Sequence, residues 1–140
     1  MTPDAVVILD SSFLVAYHNT RDVHHGAAAR TMVHLVAGQW GRALLLEYVF
    51  LEVVTVLLAR RGRAVAVDVA ATLLQAREVE FVACSDLFLD ALQTFRNQAA
   101  DRLSFADAAI VTVARRNPPG YVATFDADFQ GLEGVVAVPS

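Results

Sequence analysis

An α/β layered fold with a mainly parallel sheet of about five strands is what the sequence predicts, and three observations predict it. Short, continuous, apolar and β-branched runs recur along the chain, as expected of strands buried on both faces of a parallel sheet. Longer stretches with helix start and stop signals separate them, and strands alternating with helices imply crossover connections. Hydrophobic residues make up 56% of the 140 positions, which excludes disorder and provides for a well-filled core.

The first strand is Ala5-Val6-Val7-Ile8-Leu9. A helix starting at Thr20 or Asp22 and ending at Gly38 leads to the second, Ala43-Leu44-Leu45-Leu46. From Glu47 a helix runs to Arg60-Arg61-Gly62, where basic residues suit the negative helix end and a glycine can close it. Another helix covers residues 64–75, the third strand covers 79–83, and Ser85-Asp86 opens a helix through Phe95. The stretch LSFADAAIV, residues 103–111, starts a helix that has to end before Pro118-Pro119-Gly120. Residues 121–124 and 135–138 supply the fourth and fifth strands. No repeat, low-complexity segment or linker interrupts the series, so a single domain over residues 1–140 is expected.

Composition narrows the function. Fifteen acidic against eleven basic residues leave a net charge of −4, so no global attraction to nucleic acid exists and any such contact has to be local. Arg60, Arg61 and Arg63, with Arg115 and Arg116, are the candidates, although arginines in a last helical turn also serve the helix dipole. The single cysteine, Cys84, can form no internal disulfide and heads no metal-ligand pair; it fits a small hydrophobe at a strand end in a reducing, cytoplasmic setting. The most membrane-like window, residues 43–59, contains Glu47 and Glu52 and falls short of the ~20 apolar residues of a spanning helix, so no membrane association is expected. The beginning, MTPDAVVILD, lacks the basic region of a secretory signal. His18, His24, His25 and His34 show no zinc spacing and read as surface or half-buried side chains.

In open parallel sheets, functional residues gather at the carboxyl ends of the strands. Asp10 directly follows the first strand, and Asp126 and Asp128 follow the fourth. Asp107 lies in the first turn of the helix feeding that strand. With Ser104 three residues before it, Asp107 matches a capping box in a short-acid version, so a cap alone would account for it. Glu52 has Tyr48, Val49, Thr55 and Val56 as its helical neighbours, which predicts an uncharged, buried face for it. The chain has no lysine, and Arg42 and Arg60 stand ten and eight residues from Glu52 on other turns. Converging acids without bases repel each other unless a divalent ion neutralises them, and hard oxygen ligands suit Mg²⁺ or Mn²⁺.

ILDSSFLVAY, EYVFLEVVTVLLARRG, LSFADAAIV and VATFDADF with GLEGVVAVP resemble, in order, the successive motifs of a PIN domain, most closely the VapC-type toxins of toxin–antitoxin pairs. The resemblance implies a three-layer α/β/α sandwich and a Mg²⁺- or Mn²⁺-dependent endoribonuclease acting on RNA. It also implies a homodimer inhibited by a cognate antitoxin protein. It places the acidic quartet on Asp10, Glu52, Asp107 and Asp126, with Asp128 as a supporting or alternative fourth ligand and Ser12 and Thr124 as hydroxyls that hold the acids. Ser104 would start the helix that aims Asp107.

Other readings are weaker on the residues. A phosphate-transfer enzyme with Asp10 as nucleophile calls for an acid where Ser12 stands, and a metal-dependent adhesion site calls for a serine where Leu14 stands. A housekeeping RNA-processing nuclease stays open. A non-catalytic PIN-like binding module is disfavoured because all four acids are present.

Overall fold

The computed structural model describes residues 5–140; Met1 to Asp4, which bear on the expected lack of a leader, lie outside the described residues. Five strands form one sheet in the order β3-β2-β1-β4-β5, and every neighbouring pair is parallel. They are β1 (Val6–Leu9), β2 (Arg42–Leu46), β3 (Val79–Val82), β4 (Tyr121–Ala123) and β5 (Val136–Val138). Each falls on a run that the sequence marks as a strand.

Six helices fill the crossovers: α1 (Ser11–His18), α2 (His25–Val36), α3 (Glu47–Arg61), α4 (Arg63–Gln75), α5 (Phe88–Arg96) and α6 (Phe105–Arg116). From β1 through β2 to β3 the chain steps one way along the sheet, and from β3 to β4 it steps back over β2 and β1. Right-handed crossovers therefore put α1 to α4 on one face and α5 and α6 on the other, which is the three-layer α/β/α arrangement. The packing agrees: α1 lies on α2 and α3, α3 on α4, and α6 on α5, β1 and β4. None of the helices among the described residues is long and apolar enough to cross a membrane.

The core follows from the apolar runs. All four residues of β1 are fully buried, at about 1.5–3 kcal/mol for each large aliphatic side chain removed from water. On α6, Ala108 to Ala114 are all buried, because that helix lies between the sheet and α5.

Two expectations need correction. The stretch after β1 carries no helix in the sequence reading, yet Ser11–His18 forms α1. Phe13, Leu14, Val15 and Ala16 are buried in succession, so the segment is apolar on several sides and lacks the periodic stripe that marks an amphipathic helix. The next helix starts at His25 rather than at Thr20 or Asp22. Asp22 instead stabilises the preceding turn, its Oδ1 accepting from the His24 N–H at 2.8 Å.

Gly120, at the start of β4, has φ +80°, and a Cβ there would lie 2.0 Å from the Gly134 carbonyl oxygen. Gly131 has φ +75° but open space around it. Gly131→Ala is expected to cost ~1 kcal/mol, the backbone penalty alone, whereas Gly120→Ala should cost ~3 kcal/mol or more because backbone has to move. Urea unfolding of both variants checks the order, and equal losses would show that the β4–β5 approach yields easily.

Candidate active site

β1 is the point where the strand order reverses, since the chain goes to β2 on one side and returns to β4 on the other. A crevice opens at such a point beyond the carboxyl ends of the strands. Here it is a cavity of ≈ 390 Å³. Asp10, Glu52, Asp107 and Asp126 all line it, from the end of β1, the middle of α3, the first turn of α6 and the loop after β4.

Asp10 is 3% exposed, and burial pushes its carboxyl above the ordinary value while hydrogen bonds pull it back. It stands at the helix-entry position before α1 without capping that helix by its side chain. Its Oδ2 instead accepts from the Ser12 hydroxyl and the Thr124 hydroxyl, each at 2.7 Å. Both hydroxyls then accept in turn: Ser12 Oγ takes the Phe125 N–H at 2.9 Å, and Thr124 Oγ1 takes the Asp126 N–H at 2.9 Å. One buried acid thus ties β1, α1 and the loop after β4 together.

Asp107 completes the capping box with Ser104. The Ser104 Oγ accepts from the Asp107 N–H, and Asp107 Oδ2 accepts from the Ser104 N–H, both at 3.1 Å. Capping does not remove the side chain from the cavity, which both residues line. Partial burial, and after it the charges of Asp10 and Asp126, push the Asp107 carboxyl up to about 6. An acid perturbed in this way, in a cleft, marks a functional candidate.

Glu52 differs from expectation because it is exposed, not buried. The core stripe of α3 is Val49, Val53 and Leu57, and Glu52 stands one residue to its side, on the cavity rim. Val56 and Arg60 line the same cavity, so positions 52, 56 and 60 form one ridge of α3. Arg60 therefore shares the acids' cavity from another turn of the same helix. Arg61 turns to Asn19, Arg115 to the Glu133 carbonyl and Arg116 to Asp90. Asp128 does not line the cavity. Its carboxylate lies 3.7 Å from Arg102, whose Nη2 also donates to the carbonyls of Ala127, Asp128 and Gln130.

A family model described as PIN domain matches residues 7–135. The chain belongs to the PIN-domain family. Among solved structures it is similar to a crystal structure of Mycobacterium tuberculosis VapC20, described as a sarcin-ricin-loop-cleaving toxin. Identity is 26%, with 87% of this chain and 91% of that one covered and a TM-score of 0.76. No curated protein matches the sequence significantly.

The donor set of this PIN domain suits a hard divalent cation: carboxylate oxygens predominate, and no cysteine lines the cavity. Among the described residues, no ion pair engages any of the four acids. As placed, however, no group of three or more His, Cys, Asp or Glu side chains among the described residues is arranged to hold an ion. Asp10 is engaged by its two hydroxyls and Asp107 by its helix cap. Among the further lining residues that the sequence does not point to are Asp22, His24 and Phe125. His24 is exposed and stacks on Phe125, a contact between distant segments that no local pattern announces.

Thr124→Val removes one donor to Asp10 and the acceptor of the Asp126 N–H, and is expected to lower stability by about 1–3 kcal/mol in urea unfolding. No loss would mean that water replaces the hydroxyl at no cost. A second expectation concerns pH in metal-free protein. The folded Asp107 carboxyl titrates near 6 against 3.8 ordinarily, so the fold binds a proton that the unfolded chain has already released. The resulting stability is complete below pH ~4 and disappears as pH rises through about 6. Asp107→Asn should therefore melt near wild type at pH 4 and at or above it at pH 7. A variant that melts lower at pH 7 would give the capping charge the larger weight.

Proposed function

We propose that the chain is a single PIN-type nuclease domain over residues 1–140, a metal-dependent endoribonuclease that hydrolyses RNA phosphodiester bonds. We further read it as the toxin of a type II toxin–antitoxin pair. The observation that carries the reading is the convergence of four acids from four separate elements on one cavity, with no ion pair to any of them among the described residues. A purely structural set of acids would be expected to find basic partners or disperse over the surface. The similarity to VapC20 supports the toxin role, RNA as substrate and a cognate antitoxin protein as partner. Homodimerisation and a cytoplasmic location complete the proposal, on the strength of the resemblance to VapC-type toxins.

Asp10, Glu52, Asp107 and Asp126 would hold the Mg²⁺ or Mn²⁺, with Asp128 as an outer support. When bound, such a cation neutralises charge on the reacting phosphate and lowers the pKa of water. The protein's own contribution is orientation. Ser12 and Thr124 donate to one oxygen of Asp10 and keep its carboxylate from turning, and Thr124 also fixes the backbone at Asp126. The guanidinium of Arg102 holds the carbonyls of the following turn, which keeps the Asp126 loop in place. Ser104 holds the first turn of α6, and with it Asp107. Arg60, on the α3 ridge, supplies a positive charge at the rim to draw the RNA backbone toward an acidic cavity. No side chain needs to act as a nucleophile.

RNA incubated with purified protein should be cut only when Mg²⁺ or Mn²⁺ is supplied, and Asp107→Asn or Asp126→Asn should lower the rate by about 100-fold or more while the variants stay folded. Millimolar Mn²⁺ should also raise the melting temperature of the wild type. Full cleavage in the presence of chelator, or unimpaired cleavage by both variants, would overturn the metal-dependent reading.

A further inference from the structure

We propose that the exposed ring of His24 is a stacking platform for an unpaired nucleobase of the RNA, beside the acidic cavity. The inference rests on the nuclease reading and deepens it by naming a side chain that positions the substrate. Three rings form a column from the core to the surface. Phe13, fully buried on α1, stacks with Phe125 at 6.1 Å and 25° between ring planes. Phe125 in turn stacks with His24 at 4.6 Å and 4°. His24 is the exposed end of the column, and both it and Phe125 line the cavity that holds the four acids.

The column is held in place at each level. The backbone of Phe125 donates to Ser12 Oγ, which ties its main chain to the Asp10 cluster. The backbone of His24 donates to Asp22 Oδ1, and the His25 N–H donates to the Asp22 carbonyl at 3.0 Å, which fixes the turn before α2. A near-parallel ring beneath His24 then sets its plane. The ordering cost of a flat, solvent-facing platform is thus met before any ligand arrives.

Such a surface suits a nucleobase. Single-stranded RNA is gripped through unstacked bases laid on aromatic side chains, histidine among them, and every base offers a π-face. Phe125 precedes Asp126 directly, so a base on His24 would sit at the cavity wall and its phosphodiester could lie between the acids and Arg60. The competing roles for an exposed histidine here are a cover over Phe125 and a hydrogen bond to RNA through a ring nitrogen. Replacement by phenylalanine separates stacking from hydrogen bonding.

The test uses the full chain with Asp107→Asn to prevent cleavage, Mg²⁺, and short single-stranded RNAs of mixed sequence carrying 2-aminopurine, whose fluorescence falls on stacking. Adding His24→Ala should weaken binding by roughly 5- to 100-fold and abolish the protein-induced fluorescence change, the range expected for losing one base–aromatic stack. His24→Phe should stay within about 3-fold of the parent and keep the change. In the otherwise wild-type chain, His24→Ala should raise KM far more than it lowers kcat. Equal binding by His24→Ala, or equal loss in His24→Phe and His24→Ala, overturns the platform while leaving the nuclease intact. Wild-type protein that neither binds nor cuts RNA overturns both.

Discussion

The molecule turns on one buried carboxylate. Asp10 ends the central strand, where an anion out of water is costly unless hydrogen bonds satisfy it. The hydroxyls that do so come from opposite ends of the sequence, Ser12 in the first turn of α1 and Thr124 just beyond β4. Because each hydroxyl also receives a backbone N–H, satisfying the acid fixes the path of Phe125 and Asp126 as well. The position of a second acid, and of the aromatic column beside it, follows from the solvation needs of the first. The bonds that satisfy the buried acid are also the bonds that would orient the proposed site.

Asp107 shows how two explanations that compete on the sequence coexist in the structure. Its main-chain N–H and one carboxylate oxygen close the capping box with Ser104, while its charge is felt by Asp10 and Asp126 across the cavity. The helix N-terminus favours the anion and the neighbouring acids disfavour it. Burial and repulsion outweigh the cap, which is why the carboxyl titrates high. A cation in the cavity would reverse the balance, since it rewards the same charge that the neighbours penalise.

Much of this was legible in the sequence. β1, β2 and β4 announced themselves as apolar runs because the inner strands of a parallel sheet covered on both faces are mostly buried, whereas the edge strands β3 and β5 are partly exposed and were marked by β-branched content instead. α6 was bounded by Ser104 and the prolines, and the acids at strand ends stood out against an apolar background. What could not be read depends on tertiary packing. α1 is apolar on several sides and so shows no period. Glu52 looked buried because its helical neighbours are apolar, yet α3 buries only Val49, Val53 and Leu57 and leaves the adjacent ridge open. The place of Arg60 in the cavity follows from how α3 packs on α1, and that of His24 on Phe125 from how the α1–α2 turn meets the loop after β4.

The span of the Asp10–Thr124 bond has a bearing on biosynthesis. Its partners are 114 residues apart, and the Ser12–Phe125 bond bridges 113. Contacts of such separation close late, since the intervening chain has to be ordered first. A nascent chain can therefore pair β1 with β2 and stack α1 on α3 well before it owns an acidic centre. The centre comes into being only once the residues around 124–126 have emerged and β4 has docked beside β1. Ribosome-bound fragments of the chain, folded or not, carry the acids of the first half without the geometry that would unite them with the last.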